Sequence, residues 1–376
     1  MKKMTLALCA IILVSAAMNS QTVSTFTQGT PDDDIAIDSN GNIYCSNYVG
    51  DTVFKFTPNG DVTSFVTGLN SPNGLAFNSL EELYVCDGQA NTIFKYDLDG
   101  NELDSYPSAG HPSGIIKSPD SDIMIFTKYQ GNSIHSLAPD GTIDLISDAD
   151  ELTGPVGLAF DDVGNLFVGN YNNRKVYKVL NNGDLEFTAD VPTDGGPMPN
   201  LGFIAYGQGY LWGTTMGSDK IYRIDPNGVN GVVLFAGSSQ GSMDGDISEA
   251  TFNTPNGILF NETEDTMYIT DFGTKNLRII SDVVLSVNDQ DVLNNSLKLV
   301  PNPAKDSVRV STVLENIGDF RINISDLNGK EIKTISGSSN QLLLNKEIDI
   351  SHLSNGIYFF SIISGNKSKS KKLVKI

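Results

Sequence analysis

The sequence predicts an all-β chain: a six-bladed β-propeller followed by a small immunoglobulin-like β-sandwich. Three observations predict it. One strand-and-turn pattern recurs in six segments, spaced about 40–55 residues apart, the period of a four-stranded propeller blade. Alternating apolar positions, rich in β-branched and aromatic residues, run through these segments, and no long stretch has a helical period. At about residue 282 the composition changes, and the remainder reads as strands of another kind.

The elements follow in chain order. Residues 1–21 combine two lysines, an apolar run and then small residues, which reads as a secretory signal peptide. Cys9 lies inside the apolar run and reads as an ordinary residue of that signal. Residues 22–281 hold the repeats. NIYCSNYVGDTVFKF (42–56), ELYVCDGQANTIFKY (82–96) and NLFVGNYNNRKVYKV (165–179) are plain copies; 123–137, 210–224 and 266–280 are looser ones. A short strand precedes each, and turns such as PNGD, LDGN, PDGT and NNGD lead on to a fourth strand. The last unit stops at LRII without one. TVSTFTQG (22–29) resembles DVTSFVTG (61–68), the fourth strand of the first unit, so strand 22–28 is expected to close the ring and remove an open edge. Residues 282–296 are polar and read as a linker.

Charge is unevenly distributed. The chain of 376 residues has a net charge of −20. Residues 297–376 hold 12 basic and 7 acidic side chains, whereas residues 4–296 hold 11 and 38. An acidic body repels nucleic acid and anionic membranes and suits cations, neutral sugars or peptides. No stretch after the signal approaches the ~20 apolar residues of a membrane span. Cys45 and Cys86 form no disulfide framework and no zinc spacing, and are expected to be free buried thiols.

Residues 297–376 read as antiparallel β, with an Asn-Gly hairpin in NISDLNGKEI and a strand in GIYFFSIIS. Pro301-Asn302-Pro303, the DLNGKEI hairpin with Gly329, the SNGIYFFSI segment with Gly356 and the Lys-rich last strand together resemble the C-terminal sorting domain of the bacterial type IX secretion system. That resemblance implies Sec export, type IX machinery as a partner, and a secreted or outer-membrane surface-attached protein. An accessory immunoglobulin-like binding module is the other reading of this segment. The stretch 234–280 carries A-G, D-G, A-x-F-x-x-P-x-G and Y-x-x-D elements and resembles the NHL-repeat propellers. SPNGLAF and TPNGILF, followed by LYVCD and MYITD, also resemble the overlapping senescence-marker/gluconolactonase-like propellers.

In a propeller, loops between blades share one face with those joining second and third strands, and that face is the expected binding site. The ring just before the inner strands reads Asp33, Asn73, Ser113, Val156, Leu201 and Asn256. The gluconolactonase-like resemblance implies that Asp33, Asn73 and Asn256 hold calcium or another divalent metal, for which hard oxygen donors are suited. Val156 and Leu201 interrupt the ring, and Asn before Gly is also a common turn residue. Asn47, Asp87, Asn170 and Asp271 end second strands, and Tyr48, Tyr129, Tyr171 and Phe272 recur just after them. These eight are candidate ligand-binding residues, the rings for stacking on sugars or gripping a peptide. Packing between blades is the alternative use of a repeated aromatic. His111 is a candidate general base without a legible partner. HExxH and P-loop patterns are missing. The first functional reading is an exported, non-catalytic module that binds a protein, peptide or glycan on its acidic loop face. The alternative is a divalent-metal-dependent, lactonase-type hydrolase.

Overall fold

The structure, a computed structural model, describes residues 21–193, 199–228, 231–283, 297–314, 318–326, 329–339, 343–364 and 367–376. Residues 1–20 of the expected signal and 284–296 of the expected linker lie outside the described residues. Contacts divide the chain into Met1–Val283 and Val284–Ile376.

The first unit contains six antiparallel sheets among the described residues. Five have four strands in chain order, starting with Ile35–Ile37, Pro72–Phe77, Pro112–Lys117, Pro155–Phe160 and Leu201–Gly207. The sixth has five strands, in the order Gly245–Asp246, Thr22–Thr27, Asn276–Ser281, Met267–Asp271, Pro255–Phe260. Each sheet's first strand packs on the next sheet's first strand, and Pro255–Phe260 packs back on Ile35–Ile37. The sheets therefore close a propeller ring around a central channel. Thr22–Thr27 lies antiparallel to Asn276–Ser281, with Thr22 opposite Ser281 and Thr25 opposite Arg278. The N-terminal strand thus fills the place that the last repeat leaves empty.

Packing explains the recurring glycine of the inner strands. A Cβ on Gly74 would sit 2.1 Å from the carbonyl oxygen of Ser113, and one on Gly114 would sit 1.8 Å from that of Val156. Gly157, Gly202 and Gly257 face the main chain of the following sheet in the same way. Pro72, Asn73 and Gly74 are inside a strand, where the missing Cβ of glycine lets neighbouring sheets approach. Hydroxyls fasten the same contact. Ser46 Oγ accepts from Asp34 N (3.0 Å) and donates to Asn73 O (2.6 Å). Thr270 Oγ1 accepts from Gly257 N (2.8 Å) and donates to Asp33 O, and Thr127 and Thr214 make equivalent links.

Arg278 secures the closing sheet. Its side chain is fully buried and donates to Asp271 Oδ2 (3.1 Å), Asp244 Oδ1 (2.8 Å), and the carbonyls of Thr251 and Met243. Asp244 also accepts from the N–H and hydroxyl of Thr25. One guanidinium thus ties the N-terminal strand, the 243–251 loop and the last repeat together. Cys45 and Cys86 are buried and unpaired.

The second unit has a sheet of Lys298–Val300, Ser307–Val313 and Leu343–Asp349, and a sheet ordered Glu331–Ser339, Gly318–Asp326, Gly356–Ser364, Lys367–Lys375. Val308, Val310, Ile322, Ile324 and Phe360 fill its core. Asn302, between Pro301 and Pro303, donates to Lys372 O (2.8 Å) and accepts from Val374 N (2.8 Å), so it anchors the last strand. Gly329 has φ 78° in the turn after Asp326, and Gly356 begins a strand opposite Lys375.

Candidate functional site

A cavity of about 210 Å³ opens where the inner strands begin. Its most buried lining residues include Asp33, Asn73, Ser113, Val156 and Asn256, brought from five different sheets. Around them stand Tyr48, His111, Tyr129, Tyr171, Met216 and Phe272. The four Tyr and Phe rings are half-buried. His111 is 5.8 Å from Tyr129, centroid to centroid, and Tyr129 is 5.8 Å from Tyr171 in an edge-on contact.

The wall has one residue per sheet except in the second, where the aromatic position is Gly88. A Cβ on Gly88 would lie 2.5 Å from His111 Nε2, so the imidazole of the next sheet occupies that space. His111 stands where three of the other sheets have Ser71, Gly154 and Thr254, all with positive φ. Its own φ is 62°, and its N–H and that of Gly110 both donate to Asn91 Oδ1 at 3.0 Å. Only histidine among these four carries a ring that can complete the wall.

The deep end is polar and incompletely satisfied. Asn256 Nδ2 donates to one oxygen of Asp33, and Asn73 Nδ2 donates to Ser113 Oγ at 3.3 Å. Asp33 Oδ2 and Asn73 Oδ1 are buried without a hydrogen-bond partner. Such atoms are costly unless something reaches them. Burial, then the carboxylates of Asp32 and Asp34, push Asp33 well above the usual carboxylate range and favour its protonated form. Burial lowers His111 and so favours neutral imidazole, and it pushes the Tyr171 phenol up to about 12. Lys275 lies over the Phe272 ring and is paired with Asp32. Asp32 and Lys275 thus compensate each other's charge beside the cavity.

Four residues expected to touch ligand do not line the cavity. Asp87 accepts from Asn70 N (2.7 Å) and Ala90 N (3.2 Å), and Asn170 accepts from Thr153 N (3.2 Å). Asp271 accepts from Asn253 N and pairs with Arg278. Asn47 lies against Gly50. These positions hold loops, because a polar side chain at a strand end finds the loop N–H groups first. Leu201 is withdrawn into the core with Ile204 and Tyr222. Met216 escaped the sequence reading because it is not aromatic, although its alignment with Tyr171 could have revealed it. The His111–Gly88 exchange had a signal too: an aromatic missing from one repeat and a ring gained in the next.

Asp33, Asn73 and Asn256 line one cavity, where Asp33 Oδ2 and Asn73 Oδ1 are unpartnered and Asn256 turns its amide nitrogen to Asp33. The set holds one carboxylate, and no group of three His, Cys, Asp or Glu side chains suited to a metal occurs among the described residues.

Comparisons with known proteins agree with this architecture. The model of the virginiamycin B lyase family matches residues 10–240, and that of the secretion system C-terminal sorting domain matches residues 298–376. A pentonolactonase of Haloferax volcanii is 26% identical over 123 residues, a match that takes in 29% of this chain and only 42% of that protein. The solved virginiamycin B lyase of Staphylococcus aureus is 17% identical with a TM-score of 0.53, covering 69% of this chain and 99% of that one. A gluconolactonase of Xanthomonas campestris is 19% identical with a TM-score of 0.54, covering 69% and 89%.

Proposed function

We propose a function for this chain, which belongs to the virginiamycin B lyase family and carries a type IX sorting domain: it is an exported propeller that binds a small, neutral, hydroxyl-bearing ring, such as a sugar unit of a glycan. The observation that carries this reading is the neutral aromatic wall above two unpartnered oxygens, Asp33 Oδ2 and Asn73 Oδ1. Rings of Tyr129 and Tyr171 offer faces and edges to a sugar's C–H surface, while the deep oxygens exchange hydrogen bonds with its hydroxyls. The cavity lies below the ~300 Å³ of drug-sized sites, which suits one ring and not a protein loop. A glycan array probed with the purified chain tests this. Saturable binding to neutral glycans that is lost in Tyr129→Ala supports it; an array without a signal, or one unaffected by Tyr129→Ala, contradicts it. Virginiamycin B is the necessary control, since its turnover would replace binding by catalysis.

The pair of unpartnered oxygens favours one second reading, a lactonase-type hydrolase. Asp33, Asn73 and Asn256 would hold a divalent cation, with the Asp33 proton displaced. The cation would supply Lewis-acid polarisation of a lactone carbonyl. His111, neutral and against the wall, would be the residue available to take a proton from water. Calcium-dependent lactone hydrolysis that disappears in Asn73→Ala would establish it.

A further inference from the structure

The other end of the channel is a second and larger cavity, of about 900 Å³. The inner strands line it with Leu75, Ile115, Leu158 and Ile258, and Phe77, Phe160 and Phe260 stand farther out. None of the residues placed in the first cavity reaches it. Its size lies within the range of organic-ligand sites, and the inner strands give it apolar side chains.

One polar group breaks that apolar surface near the channel centre. Asp34 occupies the position that is glycine in the other inner strands, and it lines this cavity. The residue is 7% exposed. Its Oδ2 accepts from the N–H of Leu75 at 2.9 Å. The glycine ring shows that a side chain is sterically unwelcome at this position, so the repeat itself does not account for a carboxylate here.

Charge around the mouth has the same sign. Asp38, Glu81, Glu262 and Glu264 line it, against the single cation Lys117, whose Nζ is held by the carbonyls of Ser118 (2.9 Å) and Ser121 (3.3 Å). An acidic rim over low-dielectric walls focuses a negative potential into the cavity.

We propose that this cavity is a second ligand site, separate from the sugar site, which takes a small amphipathic organic cation with its ammonium group at Asp34 and its hydrocarbon body against the inner strands. The aromatic residues nearer the mouth provide additional faces for a cationic group.

Calorimetric titration of the full chain with n-hexylammonium, n-hexanol and hexanoate tests the proposal. Hexylammonium should bind one to one, and hexanol and hexanoate should not compete with it at equal concentration. Asp34→Asn keeps an acceptor for Leu75 N and should weaken binding by about thirtyfold or more, the consequence of losing one partner of a buried charge pair. Tyr171→Ala, in the other cavity, should leave hexylammonium binding unchanged while removing any glycan signal. Absence of saturable binding, equal affinity in Asp34→Asn, or loss of binding in Tyr171→Ala would overturn the proposal. Should Asp34→Asn not fold, Ile37→Lys places a fixed cation on the half-buried cavity wall and should likewise abolish binding; unchanged affinity there overturns the proposal equally.

Discussion

At Asp34 the carboxyl ionises near 3.8 in an unfolded chain and near 7 in the folded one. Between those values the folded state holds the extra proton, so stability falls as pH rises through that window and levels off above it. The full change amounts to up to ~4 kcal/mol. Asp34→Asn should shrink the difference in unfolding free energy between about pH 4.5 and pH 8 by a large part of that amount. Chemical denaturation at the two pH values measures it, and an unchanged difference would contradict the burial argument. Asp33 acts with the same sign and remains in the variant, so a residual slope is expected. Single residues were unequally legible in the sequence. Asp33, Asn73 and Asn256 stood out as polar members of the ring that precedes the inner strands, and they do line one cavity. Asp87 and Asp271 looked similar but serve loop N–H groups, because sequence position does not reveal which way a strand-end carboxylate turns.

At the scale of strands and sheets, the repeat and the antiparallel alternation were legible because each blade is local in sequence. The role of the PNG motif was not. Read as a turn, its glycine proves to be a contact between sheets, a fact that belongs to the neighbour 40 residues away and not to the motif. Gly114→Ala forces a methyl group against the Val156 carbonyl and should cost ~1–3 kcal/mol, as overpacking does. A Cβ on Gly164 meets nothing within 4 Å, so Gly164→Ala carries only the cost of its φ of 82°. Equal losses in the two variants, measured by urea unfolding, would contradict the steric account. Arg278→Ala leaves Asp271 buried without its cation and detaches the 243–251 loop from the last repeat. A loss of ~3–5 kcal/mol is expected for breaking such a buried pair. A change under ~1 kcal/mol, as at an exposed pair, would show that the guanidinium is not the closing latch.

For the whole molecule, the sorting address and the candidate site reside in different parts of the chain. The sorting domain was legible as a contiguous set of motifs, and its anchoring Asn302 is a concrete reason for the Pro-Asn-Pro spacing. Removing residues 298–376 should strand the propeller in the periplasm; fractionation and immunoblotting measure this, and undiminished passage across the outer membrane would contradict the assignment. The ligand was less legible, since its wall is assembled from single residues of separate sheets, one of them a histidine substituting for a missing ring in its neighbour. The most direct measurement is a crystal structure of the protein soaked with a neutral sugar that is positive on the array. The account predicts a sugar ring against Tyr129 and Tyr171, with hydroxyls on Asp33 Oδ2 and Asn73 Oδ1. Density for a sugar elsewhere, or a cation on those two oxygens with no sugar beside it, would contradict it.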